Sequence, residues 1–497
     1  MSPRRLAVLA LGALFASAGV ARAAGPLGSD GSPIATSEYR IDLTQGVVLA
    51  GTRVLGLAGA YVAIAEGVDG NSQNPVAPAM RLPFSYDHTD YDLGFGLTFP
   101  AAVRGNDLFN SGTRDSVSAK QSDALFLDLA GNLQLGRWGV GLSFHYTTFE
   151  VQSSSGQSLG LNARFGGARL QVARSWFDGQ FLVGVGSRGT GLVVENRNPR
   201  AGEPKNLFHI EGAAAEVGAL FRPNSSPYRV GVAARSAVIT NELKADVDKN
   251  AAGDRVITRN GTALFLPNEV TLPWDIDVGL AVQLGPRPLN PRWVEPNEAL
   301  ARLDRYLAWK ERERERRKAA RLAQTSTQGR ALGPREAALD AEAASDRALD
   351  ELHRERSLRA LRDELRRRAR ALERFYVLVS TSLLVTGPVR NSVGVESFIT
   401  QRVQRSGRKA TYTPRLGVET ELVPEWLKLR AGTYGEPTRF ESNGAKPRLH
   451  GTLGFDQKLF PWTAFGIFDD DTEWRLSAAL DGARHYFSWG ASVGVWR

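Results

Sequence analysis

Much of the chain alternates between apolar and polar or small positions. Trp138, Val140, Leu142, Phe144 and Tyr146 fall on one side of a period-two pattern, and Gly139, Gly141, Ser143 and His145 on the other. The pattern recurs where Ile276, Val278, Leu280, Val282 and Leu284 alternate with Asp275, Asp277, Gly279, Ala281 and Gln283. Successive side chains of an extended backbone point to opposite sides, so this alternation predicts strands with one apolar face. Strands are predicted over 86–99, 124–135, 138–150, 159–176, 181–193, 210–221, 228–238, 274–284, 376–386, 414–423, 427–434, 448–460, 474–481 and 486–496, fourteen in all. The segment 159–176 changes phase. Leu161, Ala163 and Phe165 occupy odd positions, and Ala168, Leu170 and Val172 even ones. Gly166 and Gly167 stand at the switch, which predicts a β-bulge there.

These segments are longer than the five or six residues usual in a soluble sandwich, and they match tilted strands that cross a bilayer. Their polar faces carry both signs of charge: Arg415, Glu419 and Glu421 on one strand, Lys428 and Arg430 on the next, and Asp128, Arg475 and Asp481 elsewhere. A wet interior lets such charges pair, whereas the competing reading makes them the solvated face of a soluble sheet. The connections also alternate. Those at 136–137, 178–179 and 424–425 are tight, and those spanning 147–158, 195–208, 241–273 and 436–447 are longer. Together these features predict an all-β protein, an antiparallel transmembrane β-barrel of about 14 strands, with its short turns on the periplasmic side.

Outside the strands the pattern differs. Residues 1–23 hold Arg4 and Arg5, an apolar run and Ala21-Arg22-Ala23, the make-up of a cleaved secretory signal peptide. Residues 24–80 are rich in small residues, and residues 81–286 and 376–497 hold the strands. Between them, 287–375 reads as a helical insertion, two helices split at Thr325-Ser326-Thr327-Gln328-Gly329, with Pro334 at the second start. Leu358, Leu361, Leu365 and Leu372 recur at near-heptad spacing, as in a coiled coil. KERERERRK, from Lys310 to Lys318, reads as too polar to pack, and a solvated charge run is the competing reading. Turn parity puts this insertion on the periplasmic side.

Charge and chemistry narrow the functions. The net charge is +9, and residues 298–375 hold 21 Lys/Arg against 15 Asp/Glu, a balance of +6. The remainder is nearly neutral, which argues against a nucleic-acid partner. Cysteine is absent, so disulfides do not stabilise the fold. Gly184-Val185-Gly186-Ser187-Arg188-Gly189 matches a dinucleotide-loop spacing but lies inside an alternating strand that opens no helix. The six histidines show no metal-ligand spacing, and Asp469-Asp470-Asp471 reads as a solvated turn. No nucleophile motif, cofactor motif or catalytic constellation is legible, so the chain reads as a non-enzyme without a cofactor or metal.

The stretch GTRVLGLAGAYVAIAEGVDGNSQNP, from Gly51 to Pro75, resembles the hatch region of the FadL/TodX family of outer-membrane transporters for long-chain fatty acids and other hydrophobic compounds. The resemblance implies that residues 24–80 form a plug inside the barrel. Small residues such as Gly56 and Gly59 would let its backbone approach the wall, and Asn74 and Pro75 would fix its exit turn. It implies passive transport: a fatty acid-like ligand enters from outside, past lipopolysaccharide, and leaves sideways into outer-membrane lipid. The Gram-negative-type outer membrane is the implied location. The alternative from the residues is a scaffold barrel that binds a periplasmic protein or the cell wall through 298–375.

Overall fold

The computed structural model of the chain describes residues 27–81, 85, 87–100, 106–112, 125–150, 161–196, 205–240, 249–259, 262–327, 332–441, 444–461 and 473–496. The leader expected over 1–23 and the acidic triplet at 469–471 lie outside the described residues.

Fourteen strands close a barrel. They are β1 Thr89–Phe99, β2 Leu125–Leu135, β3 Trp138–Glu150, β4 Leu161–Trp176, β5 Phe181–Asn196, β6 Asn206–Phe221 and β7 Tyr228–Arg235. After these come β8 Asp275–Leu284, β9 Val377–Thr386, β10 Thr411–Val423, β11 Leu427–Glu436, β12 Arg448–Lys458, β13 Trp474–Ala483 and β14 Tyr486–Val495. Each strand neighbours the next in the chain. The ring closes where β14 runs antiparallel to β1, from Gly94 opposite Gly494 to Phe99 opposite Trp489. Closure leaves no sheet edge, so backbone groups are satisfied within the wall, as a bilayer requires.

The apolar positions of the alternation point outward. Leu93, Leu133, Trp138, Leu142, Phe144, Leu170, Val185, Val230, Leu280, Leu416, Leu453, Leu480 and Val493 are all exposed. In water such a belt would cost about 25 cal/mol per Å². Facing lipid, the same belt holds the barrel in the membrane. A soluble sandwich would have packed these faces together, so the exposed belt excludes it. A closed barrel with an apolar outer belt and a polar, filled interior is an outer-membrane β-barrel.

The expected bulge at Gly166 and Gly167 is absent. Register is continuous through both, with Tyr146 opposite Gly166 and His145 opposite Gly167 on one side, and Gly191 and Thr190 on the other. Register shifts fall instead at Val194/Glu195 and at Glu421/Val423. Odd residues of β4 face inward along its length. What changes is the chemistry of the lining, from Arg169 and Gln171 near the tight-turn end to Leu161, Ala163 and Phe165 near the other. Gly167 has its own reason: a Cβ there would collide with the imidazole of His145.

Inside the barrel unit, five short strands make a small sheet, in the order Arg405–Ser406, Ser392–Gly394, Arg40–Asp42, Glu269–Leu272 and Val238–Thr240. Arg40–Asp42 is central and runs parallel to both neighbours. It ties the N-terminal segment to the connections before β8 and after β9.

The chain folds as two compact units. One comprises Met1–Arg81, Tyr91–Pro291 and Glu373–Arg497, and the other Leu82–Asp90 and Arg292–Leu372. The second holds two helices, α1 Pro296–Thr327 and α2 Leu332–Arg370. Thr325 to Thr327 therefore lie within α1, beyond the break expected there. The helices form an antiparallel hairpin. Asp304 pairs with Arg354 at 2.8 Å, Lys310 with Asp350 at 2.6 Å and Glu311 with Arg347 at 2.6 Å. Part of KERERERRK thus faces the partner helix and packs through charge. These pairs are largely exposed to water, so each adds little to stability.

Candidate functional site: a charged inner segment and an apolar lining

Residues 51–80 lie inside the barrel as a short helix, Thr52–Gly56, and two single 3-10 turns, Val68–Ser72 and Ala77–Ala79. Most of them are buried. Inward-facing glycines of the wall make room for the backbone of this segment. A Cβ on Gly139 would strike the carbonyl of Pro78, one on Gly184 that of Pro75, and one on Gly231 that of Val62. Gly56 lies against Gly454 of β12 and the Arg430 side chain. Gly59 adopts φ +76°, a conformation other residues rarely take, with the Arg415 guanidinium alongside. Asn74 donates from Nδ2 to the carbonyl of Val62 at 2.9 Å, and its Oδ1 accepts from the Val76 N–H at 3.3 Å. Pro75 presents its carbonyl to Gly184. Sequence reasoning placed the small residues in the segment and missed the matching glycines in the wall. The signal was the recurrence of glycine on polar faces, above all Gly139, Gly184 and Gly231.

A run of ion pairs leaves this segment, crosses the wall and returns. Glu66 contacts Arg53 at 3.1 Å and Arg229 at 2.7 Å. Arg53 grips Glu419 of β10 with two donors, at 2.9 and 2.8 Å. Glu419 pairs with Arg430 at 2.5 Å, and Arg430 with Asp456 at 2.5 Å. Arg475 lies 3.5 Å from Asp456 and 2.5 Å from Asp69, which is back on the segment. Arg53, Arg229, Arg430 and Arg475 balance Glu66, Asp69, Glu419 and Asp456, four cations against four anions. A buried network of this kind holds position only when every charge is compensated. Nearby, His450 lies between Glu436 (2.7 Å) and Asp481 (2.8 Å), and the Tyr434 hydroxyl donates to Asp481 at 2.7 Å.

Towards the end with the long connections the lining turns apolar. Leu161, Ala163 and Phe165 of β4, Leu192 and Val194 of β5, and Phe208 and Ile210 of β6 form one buried cluster with Tyr39, Ile41, Leu43 and Val47, and with Val393, Phe398 and Val403. Phe208 meets Phe398 edge to face at 5.2 Å between ring centres. The phase switch in 159–176 was the sequence signal for this apolar lining. It marks the height at which inward residues become apolar.

Beside this cluster, Glu396 of the short helix Val395–Thr400 is buried. Burial, then the nearby Asp107 carboxylate, pushes its carboxyl up from 4.5 to about 8. Its folded-state value is therefore raised, so its stabilising contribution is full below about 4.5 and is lost as pH rises through about 8. Trypsin nicking after Arg402 and Arg405 is expected to increase between pH 7 and 9, and Glu396→Gln is expected to suppress that increase. Equal nicking in the two proteins across that range would refute the assignment. No group of three or more His, Cys, Asp or Glu among the described residues is placed to hold a metal ion.

No family model matches the chain, and no curated protein does. Solved structures of similar shape include the CymD monoaromatic hydrocarbon channel, at 10% identity over 91% of this chain and 97% of that one, with a TM-score of 0.46. The toluene transporter TodX of Pseudomonas putida follows at 11% identity, 91% and 99% coverage and a TM-score of 0.45. A FadL homologue of Pseudomonas aeruginosa follows at 11% identity, 91% and 98% coverage and a TM-score of 0.43. The barrel assignment rests on the strand pairing itself.

Proposed function

We propose that this barrel passes hydrophobic compounds across the outer membrane passively, as a channel of the FadL/TodX kind, with fatty acid-like molecules as the ligand class. The observation that carries the reading is the apolar lining on the inner face of β4, β5 and β6, whose side chains pack into one buried cluster. Barrel interiors are ordinarily polar, and aliphatic and aromatic side chains turned inward have no use in passing water or ions. They suit a ligand whose own surface is apolar. The small-residue segment at 51–80 then serves as the plug.

The test is retention of ligand. Protein folded in detergent with added oleate and examined by native mass spectrometry is expected to keep about one fatty acid per chain. Phe208→Asp puts a charge into the apolar lining and is expected to reduce retention at least tenfold, since a buried unpaired charge costs several kcal/mol. Equal retention by the two proteins would sink the reading.

A second reading gives the helical hairpin a partner in the periplasm, a protein or the cell wall. Tyr306 and Trp309, stacked at 6.0 Å on α1 and both more than half exposed, favour it. Tyr306→Ala with Trp309→Ala should abolish sedimentation with purified cell wall if that is the partner, and leave oleate retention intact.

A further inference from the structure

At the end of the barrel with the long connections there is a small cavity. Phe109, Val395 and Phe440 supply its apolar wall, and Asp42, Thr44, Ser406, Glu436 and Arg439 its polar wall, together with Gly46. Phe109 and Val395 belong to the buried apolar cluster, and Phe440 packs against it, so the cavity borders that cluster. Its volume is about 10 Å³, room for one water-sized group.

The polar groups of the wall are already engaged, with one exception. Arg439 donates from Nε to Asp42 at 2.7 Å, from Nη1 to Thr411 at 3.3 Å and from Nη2 to the carbonyl of Gly387 at 3.1 Å. The hydroxyls of Thr44 and Ser406 donate to the two carboxylate oxygens of Asp42, at 2.6 and 3.1 Å. Oε2 of Glu436 lies 2.7 Å from Nε2 of His450 and accepts from Nε of Arg448. Its Oε1 has no partner among the described residues, although Glu436 is only 1% exposed. That oxygen stands beside Gly46, where an added Cβ would collide with it. The donors of this wall thus point to acceptors, and the open group is an acceptor.

A buried carboxylate oxygen without a donor costs free energy, so the site calls for a donor. A lone water suits it poorly, because a water needs two or more polar partners and this oxygen shares the wall with phenyl rings. A hydroxyl on an apolar molecule satisfies both sides: its O–H donates to Oε1, and its carbon body lies on Phe109 and Phe440. Charge leads to the same choice. Asp42 is matched by Arg439, and Glu436 by Arg448. An ammonium would add an unmatched cation and a carboxylate an unmatched anion beside Glu436, whereas a hydroxyl adds no charge.

We propose that this cavity is the subsite for the polar end of a neutral, hydroxyl-bearing hydrophobic compound, an alcohol or a phenol, held by donation to Oε1 of Glu436. The proposal rests on the reading that the apolar lining meets hydrophobic compounds, and it names which of them the site prefers.

The test compares oleyl alcohol, its methyl ether and oleate, which share one hydrocarbon chain and differ at the polar end. The protein is folded in lauryldimethylamine oxide, a detergent without a hydroxyl, and offered all of them at equal concentration. Bound ligand is read by native mass spectrometry. The alcohol is expected to be retained about tenfold better than the ether or oleate, the size of one hydrogen bond to a charged group. Gly46→Ala fills the space beside Oε1 and is expected to erase the preference for alcohol over ether while total retention holds. Equal retention of alcohol and ether by the parent, a comparison that needs no variant, would overturn the proposal and leave the transport reading standing. A preference that survives Gly46→Ala would overturn it too, since the hydroxyl would then be bound elsewhere. Retention of none of these ligands would sink both readings.

Discussion

Arg53→Met is expected to unseat the plug while leaving the barrel closed. Arg53 bridges two plug groups, Glu66 and the Tyr61 hydroxyl, to Glu419 in the wall. Its removal turns a balanced set of four cations and four anions into one with an uncompensated negative charge. Removing one partner from a buried pair costs about 3 kcal/mol, more than the pair contributes when intact, because the remaining charge stays desolvated. That corresponds to roughly a hundredfold faster hydrogen exchange over the plug, and to a rise in ion conductance in planar bilayers. The double variant Arg53→Met, Glu419→Gln restores the balance and should recover most of the loss. If the double variant conducts as freely as the single one, charge balance is not what seats the plug.

The second large effect belongs to glycine on the wall. Gly184→Val places a branched side chain where the Pro75 carbonyl and the Val76 nitrogen already sit. Backbone cannot yield as a flexible side chain can, so the plug must lift from the wall. Overpacking of this kind costs about 1–3 kcal/mol. Faster exchange over 72–80 and higher conductance should follow. Gly166→Val is the control. Gly166 faces outward, nothing lies within 4 Å of its added Cβ, and β-branched residues suit a strand. It should fold and conduct as the parent does. Similar behaviour of the two variants would mean that the close approach at Gly184 does not seat the plug.

Particular residues show how far the sequence could be read. Trp138 to Tyr146 announced both a strand and its lipid face. The charges at Arg415, Glu419 and Arg430 announced a paired interior, and they meet Asp277, Arg53 and Asp456. Gly166 and Gly167 misled. A change of apolar phase normally means a bulge, but here the backbone keeps its phase and the lining changes. The hairpin was legible as helix, while the pairing of Arg362 on α2 with Asp87 was not. Arg362 and Asp87 are far apart in the chain, and neither carries a local mark of the other.

The sequence by itself determined the strands, their spacing, the outward apolar belt and the helical insertion, because side-chain alternation and helical propensity are properties of neighbouring residues on one backbone. Only the tertiary structure decided what fills the barrel. The charge chain from Glu66 to Asp69, the seating of Pro75 on Gly184 and the packing of Phe208 on Phe398 all join segments distant in sequence. Once the ring closes, inward positions are judged by what they meet across the lumen, and alternation along one strand carries no record of that.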